Sequence, residues 1–483
     1  MLLEFALVRP NFIILFAIAL YTGLASGETI RLKNGCSIVA DRVSENKEHI
    51  EYEIGDNTFA ISKSAVDHIE HIDTTTPGSA GISSGSSLAS ADLPAFTPSD
   101  SLIADEQLSL KIIRDGRVDA DALAAMERSG SAELAAAACF IAGRHDQERG
   151  DRDKARLYFQ RALNFMPENA VLLEHYAAAL IQMQRASEAV PFGEHATRLA
   201  PASPDAFSVL GFACFGSDRN KNAIAAWKRS LELRPDATIQ KYLEKAQREV
   251  TAESDFSQRE SGHFTLRYEG SRTSDALGNA VLSTLAGHYD ELVRELGVSP
   301  HSNIPVILYT DQAYFDVTQA PAWTGAMNDG KLRIPIEGVR TMTPELSRVL
   351  KHELAHSFIN QVSNGRCPQW LHEGIAQALE PKSISSNGRR LAQLFAGHHQ
   401  IPLNVLESSF MQLSAPEARI AYAEALAAVE YVRDAYGMSE LRRILERIGE
   451  GASTEAALRT TVHSGYAQLE EDIGSNLKSK YGE

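Results

Sequence analysis

Pro167, Pro201 and Pro235 stand 34 residues apart, and the same step recurs at Ala155, Ala189 and Ala223, at Ala162, Ala196 and Ser230, and at Gly143, Ala177 and Gly211. Small residues are needed where two antiparallel helices cross closely, and a proline cannot continue a helix, so each period reads as a helix pair closed by its proline. Such a unit cannot bury its apolar face alone. Three of them, at 136–169, 170–203 and 204–237, predict a stacked helical solenoid within residues 101–250. The aromatic residue that precedes the second small position is Phe159 and Trp227 in the outer units but Gly193 in the middle one, which marks that unit as degenerate.

The period and its composition resemble tetratricopeptide repeats, which implies a groove able to hold a protein partner. The solenoid accounts for only part of the 483 residues, and a chain of this length exceeds what one core supports, so a multidomain protein is expected. Residues 28–72 alternate apolar and polar positions between turn signals, as in His49–Ile54 and 57–61, and predict a small all-β module. Residues 73–100 are Ser, Gly, Thr, Pro and Ala with almost no large apolar side chains, and read as a flexible linker. At the start, the apolar run 12–24 follows Arg9 and ends in Ala25-Ser26-Gly27, the pattern of a cleaved signal peptide over residues 1–27. That reading makes the protein secreted or periplasmic, with no stable membrane insertion after cleavage; an uncleaved anchor is the alternative. The formal charge of −16 opposes a nucleic-acid backbone as partner. Cys36, Cys139, Cys214 and Cys367 show no C-x-x-C spacing, and Cys139 and Cys214 are expected as buried thiols on helices.

From residue 258 to 483 the pattern becomes mixed α+β: a strand at 264–268, a long amphipathic helix at 275–296 and an apolar strand at 304–309. Then comes Lys351-His352-Glu353-Leu354-Ala355-His356-Ser357-Phe358. Two histidines four apart on a helix share one face and can bind a single Zn²⁺, while Glu353 between them sits beside the metal as a candidate general base. Thr343 caps this helix, Pro344 occupies its first turn and Asn364-Gly365 ends it. A catalytic zinc needs a third protein ligand and an open position. Glu373, in a second helix that begins near Pro368 and ends before Pro381, supplies the carboxylate. His372 competes for the role, but adjacent helical residues point about 100° apart, and Glu373 is favoured.

The text His352-Glu353-Leu354-Ala355-His356 followed by Trp370-Leu371-His372-Glu373-Gly374-Ile375-Ala376 resembles the gluzincin zinc metallopeptidases, and more narrowly the peptidase MA-like domains found beside tetratricopeptide repeats, over about residues 260–480. The resemblance implies a zincin-like α+β fold with C-terminal helices, one Zn²⁺, and peptide or protein substrates. Residues 322–325 and 330–336 resemble the loop and edge strand that precede the zinc helix, and such a strand can pair with an extended peptide. Tyr422 resembles the tyrosine that donates a hydrogen bond to the developing oxyanion in related aminopeptidases. One position departs from the pattern: where gluzincins commonly place a carboxylate four residues after the glutamate ligand, to orient a zinc histidine, this chain has Gln377, whose amide oxygen could accept an imidazole N–H with less charge. The expected function is zinc-dependent peptide hydrolysis. The alternative is a repeat scaffold of the cell envelope, with a weak or inactive peptidase-like domain or with repeats that hold substrates for slow cleavage. Leu441, Ile444, Leu445 and Ile448 are expected to pack C-terminal helices onto the catalytic domain.

Overall fold

A computed structural model describes residues 28–33, 37–40, 42–45, 49–54, 57–63, 66–71, 97–98, 102, 106–300, 303–320, 325–336, 339–380 and 382–482. The expected leader at 1–27, nearly all of the linker, Cys36 and residues 322–324 lie outside them. The chain divides into two compact units, Met1–Ala80 and Gly81–Glu483.

The first unit has six strands, β1 (Glu28–Leu32), β2 (Ser37–Ala40), β3 (Arg42–Glu45), β4 (His49–Ile54), β5 (Asn57–Ser62) and β6 (Val66–His71). They form two antiparallel three-stranded sheets, β2-β1-β6 and β3-β4-β5. Ile30 pairs across with Ile38 and Ile69, as the two-residue alternation requires, and Ile30, Ile50 and Val66 are buried.

The second unit is mostly helical. It opens with α1 (Glu106–Ile112), a hairpin of β7 (Ile113–Arg114) and β8 (Arg117–Val118), and α2 (Ala120–Glu127). Asp115 and Gly116 take positive φ of 50° and 68° at the hairpin turn, the backbone that Asp-Gly favours. Three helix pairs follow: α3 (Ala132–Glu148) with α4 (Arg152–Phe165), α5 (Ala170–Gln182) with α6 (Ala186–Leu199), and α7 (Pro204–Gly216) with α8 (Asn220–Leu233), then α9 (Ala237–Ala252). The C-caps Met166, Ala200 and Arg234 stand directly before the three periodic prolines. A Cβ on Gly211 would come within 2.2 Å of the Trp227 ring, so the small residue and the aromatic are two halves of one contact. In the middle pair Gly193 lies against Leu210 of the next helix, and the aromatic is dispensed with. Cys139 and Cys214 are buried free thiols, as expected.

Beyond α9 a five-stranded sheet carries β9 (Phe256–Ser261), β10 (Phe264–Glu269), β11 (Ile304–Tyr309), β12 (Met327–Asn328) and β13 (Leu332–Pro335) in the order β12-β13-β11-β10-β9. β10, β11 and β13 are parallel, and the two outer strands are antiparallel to their neighbours. The strand read from 330–336 as an edge is therefore not the outermost; the two-residue β12 pairs with its Leu332 and Arg333 and forms the edge. Helices α10 (Asp275–Leu296) and α11 (Asp311–Thr318) interleave with these strands, and α12 (Pro344–Ser363), α13 (Gln369–Leu379), α14 (Gly388–Ala396), α15 (Ala415–Tyr436), α16 (Met438–Gly449), α17 (Thr454–Thr461) and α18 (Tyr466–Tyr481) complete the domain. Leu441, Ile444, Leu445 and Ile448 of α16 join the same core as α12, α13 and α15. No described helix is long and apolar enough to cross a membrane.

The repeat helices and the sheet share buried charge. Glu249 of α9 pairs with Arg333 of β13 at 2.7 Å and with Lys331 at 2.7 Å, and Asp218, in the turn between α7 and α8, pairs with Lys331 at 2.8 Å. Burial by itself would raise the Glu249 carboxyl, but Arg333, Lys331 and Lys245 hold it down at about 2. The turn between α3 and α4 reaches the end of α12, where Arg366 donates to the Gly150 carbonyl at 2.6 Å.

Candidate metal centre

α12 begins as its sequence dictates, with the Thr343 side chain accepting from Leu346 N–H, and ends with Asn364 in the left-handed region at φ 50°. Its inner face carries His352, Glu353 and His356. α13 crosses it and is packed so closely on α15 that a Cβ on Gly374 would lie 2.4 Å from the Ala425 carbonyl oxygen. α13 carries Glu373 next to the histidines of α12.

Ligand atoms from His352, His356 and Glu373 all lie within 4.8 Å of one another. Glu373 Oε2 is 3.4 Å from His352 Nε2 and 3.7 Å from His356 Nε2. A tetrahedral zinc about 2.0–2.2 Å from its ligands separates them by about 3.3–3.6 Å, close to the two distances that Glu373 Oε2 already keeps from the imidazoles. Glu373 Oε2 is buried and accepts no hydrogen bond among the described residues, while Glu373 Oε1 accepts from Gln369 Nε2 at 2.9 Å. One carboxylate oxygen is thus fixed and the other is left facing two imidazoles, so the donor set fits a divalent cation.

Burial and neighbouring charges shift these groups in different directions. Burial alone would lower His352, but Glu373, Glu380 and Glu353 outweigh it and bring it up to about 10. Burial, opposed by His352 and reinforced by Glu373 and Glu380, pushes Glu353 up to about 8. Burial, with His372 and His352 beside it, holds His356 well below its ordinary value, so that it is a neutral ring with a lone pair.

His372 does not join the three; its ring stacks on His356 at 4.5 Å and 15°, as a flank to the site. Tyr422 lies on α15, and burial with the carboxylates of Glu373 and Glu353 holds its phenol well above the usual range, so it stays a hydrogen-bond donor. Gln377 does something other than the sequence suggested: its amide nitrogen donates to the backbone carbonyls of Tyr422, at 2.9 Å, and Glu373, at 3.3 Å. It joins α13 to α15, and the carboxylate beside His352 Nδ1 is Glu380, at 3.5 Å. Glu380, Gln369 and Asn328, whose amide donates to the Glu353 carbonyl at 2.6 Å, had no part in the sequence reading. The signal for the first two was helical spacing, four residues before and seven after Glu373.

Residues 288–478 match the Peptidase MA superfamily model. The Peptidase MA segment includes α12, α13 and α15, and with them every residue of the cluster. The comparison with curated proteins gives no match. Among solved structures the chain is similar to the first TPR of Spaghetti (RPAP3) bound to the HSP90 peptide SRMEEVD, with 23% identity over 24% of this chain and 93% of that one and a TM-score of 0.24. It is also similar to the MamA RS-1 ArsTM double mutant, with 21% identity over 26% of this chain and 71% of that one and a TM-score of 0.24.

Proposed function

We propose that the protein is a zinc-dependent peptidase in which His352, His356 and Glu373 hold the metal and Glu353 is the general base. The observation that carries this is the convergence of two imidazoles on one carboxylate oxygen that nothing else occupies, beside a second buried carboxyl. Bound zinc supplies Lewis acidity, polarising a peptide carbonyl and lowering the pKa of a water molecule. Glu353, with its affinity for a proton raised by burial, accepts the proton of the attacking water and delivers it to the leaving amine. Tyr422, kept protonated, donates a hydrogen bond to the oxygen on which negative charge develops. Glu380 beside His352 Nδ1 and Gln369 on Glu373 Oε1 hold the ligands in their rotamers. Peptides or unfolded proteins are the substrates that this chemistry serves.

The test is metal analysis of the purified protein with hydrolysis of a mixed peptide library by wild type and Glu353→Gln. One equivalent of zinc in both proteins, with turnover about 10²–10⁴-fold lower in the variant, supports the reading. Equal turnover in the two removes Glu353 as the base. Zinc bound without any cleavage favours the alternative, an inactive domain beside a binding scaffold.

A further inference from the structure

Asn328 is the last residue of the edge strand β12, and its side chain is buried between two elements. Its amide nitrogen donates to the Glu353 carbonyl at 2.6 Å and to Ser357 Oγ at 2.8 Å, within the one turn of α12 that carries both Glu353 and His356. Its amide oxygen accepts from Gly330 N–H at 3.0 Å, so the same side chain closes the turn into β13. That turn is gripped from the repeat side. Asp329 pairs with Lys245 of α9 at 2.7 Å and with Arg333 at 2.9 Å, and Arg333 and Lys331 both close on Glu249 of α9. Asn328, Lys331, Arg333, Lys245 and Glu249 are buried, and the side chain of Asp329 is nearly so. Buried ion pairs give little net stability, because desolvation offsets their attraction, but a displaced partner leaves an unpaired buried charge, so they resist movement.

We infer that Asn328 is a positioning residue for the Glu353 turn of α12, and that helix α9 of the repeat region holds it in place through Lys245–Asp329 and Glu249–Arg333. The inference rests on the peptidase reading only for its kinetic arm. On this view the repeats are part of the catalytic frame: a shift of α9 moves the β12–β13 turn, and the turn moves the helix segment that presents the base and a ligand.

The experiment compares zinc-loaded and metal-free full-length wild type, Asn328→Ala, Lys245→Met and Lys245→Arg by amide hydrogen exchange over residues 350–358, and by kcat and KM per bound zinc. Asn328→Ala is expected to speed exchange over 350–358 at least tenfold and to lower kcat by about 10- to 100-fold with KM within about twofold. Lys245→Met should do the same to a smaller degree, and Lys245→Arg should restore both. A merely structural role would lower the melting temperature and leave kcat per zinc-loaded molecule unchanged. Exchange over 350–358 within twofold of wild type in Asn328→Ala overturns the positioning role; faster exchange confined to 328–333 in Lys245→Met overturns the link to α9. If wild type cleaves nothing, the peptidase reading fails while exchange still decides the inference.

Discussion

At the scale of single residues, the candidate centre divides into groups that face the proposed metal position and groups that hold them. Glu380 sits 3.5 Å from His352 Nδ1, and Glu380→Gln should weaken zinc binding by about 10- to 100-fold, read by competition with a chelator, with no loss of fold. On the proposed mechanism Tyr422→Phe removes the oxyanion donor and should lower kcat by about 10²–10³-fold while zinc content stays at one. Protons compete with the metal. His352 is raised to about 10 in the metal-free protein, so below that pH zinc must displace a proton from it. Apparent affinity should therefore fall about tenfold for each pH unit between 9 and 7, and level off above 10. A titration with no pH dependence over that range would show that the neighbouring carboxylates do not hold His352 protonated. His352, Glu353 and His356, the proposed base and two of the proposed ligands, were legible because i, i+3 and i, i+4 spacing on a helix fixes a shared face before any packing is known; Glu373 was legible only through the second helix that follows. Asn328 was not: Asn328-Asp329-Gly330 reads as a turn, and its reach to α12 depends on a contact across 25 positions.

At the scale of elements, the joint between α13 and α15 decides where Glu373 lies. Gly374 leaves no room for a side chain, and Gln377 spans the same joint with its amide donated to two carbonyls. The sequence comparison alone would suggest that Gln377→Glu restores a carboxylate for a zinc histidine. The geometry predicts the reverse. A carboxylate at 377 would face the Tyr422 and Glu373 carbonyl oxygens, acceptor against acceptor, and should cost about 1–3 kcal/mol of stability in urea unfolding without tightening zinc. Gly374→Ala should separate α13 from α15 and destabilise by a similar amount, with reduced zinc occupancy. The sequence pattern placed α10, α12, α13 and β11 nearly to the residue, since each is long or strongly apolar with clear caps. It missed β12, whose two residues carry no period, and the family resemblance had placed the edge at the neighbouring strand.

At the scale of the molecule, the repeats and the Peptidase MA segment fall in one compact unit. Lys331 and Arg333 of the sheet region find Glu249 and Asp218 on the repeat side, and Arg267 of β10 also pairs with Asp218, at 2.8 Å. A fragment beginning at residue 254 would leave Lys331 and Arg333 without their Glu249 partner. It should unfold at markedly lower urea concentration than the full chain, or fail to fold, by circular dichroism. A fragment as stable as the whole would show the two regions to be independent.

The sequence by itself determined the local chemistry: which residues share a helix face, where helices start and stop, and that a 34-residue unit repeats, because these follow from backbone periodicity and capping. Only the tertiary structure decided that Glu380 and not residue 377 stands by His352, that β12 is the edge, and that the repeats clasp the five-stranded sheet. Those facts depend on how closely two helices approach and on which buried charges meet, and neither leaves a period in the chain.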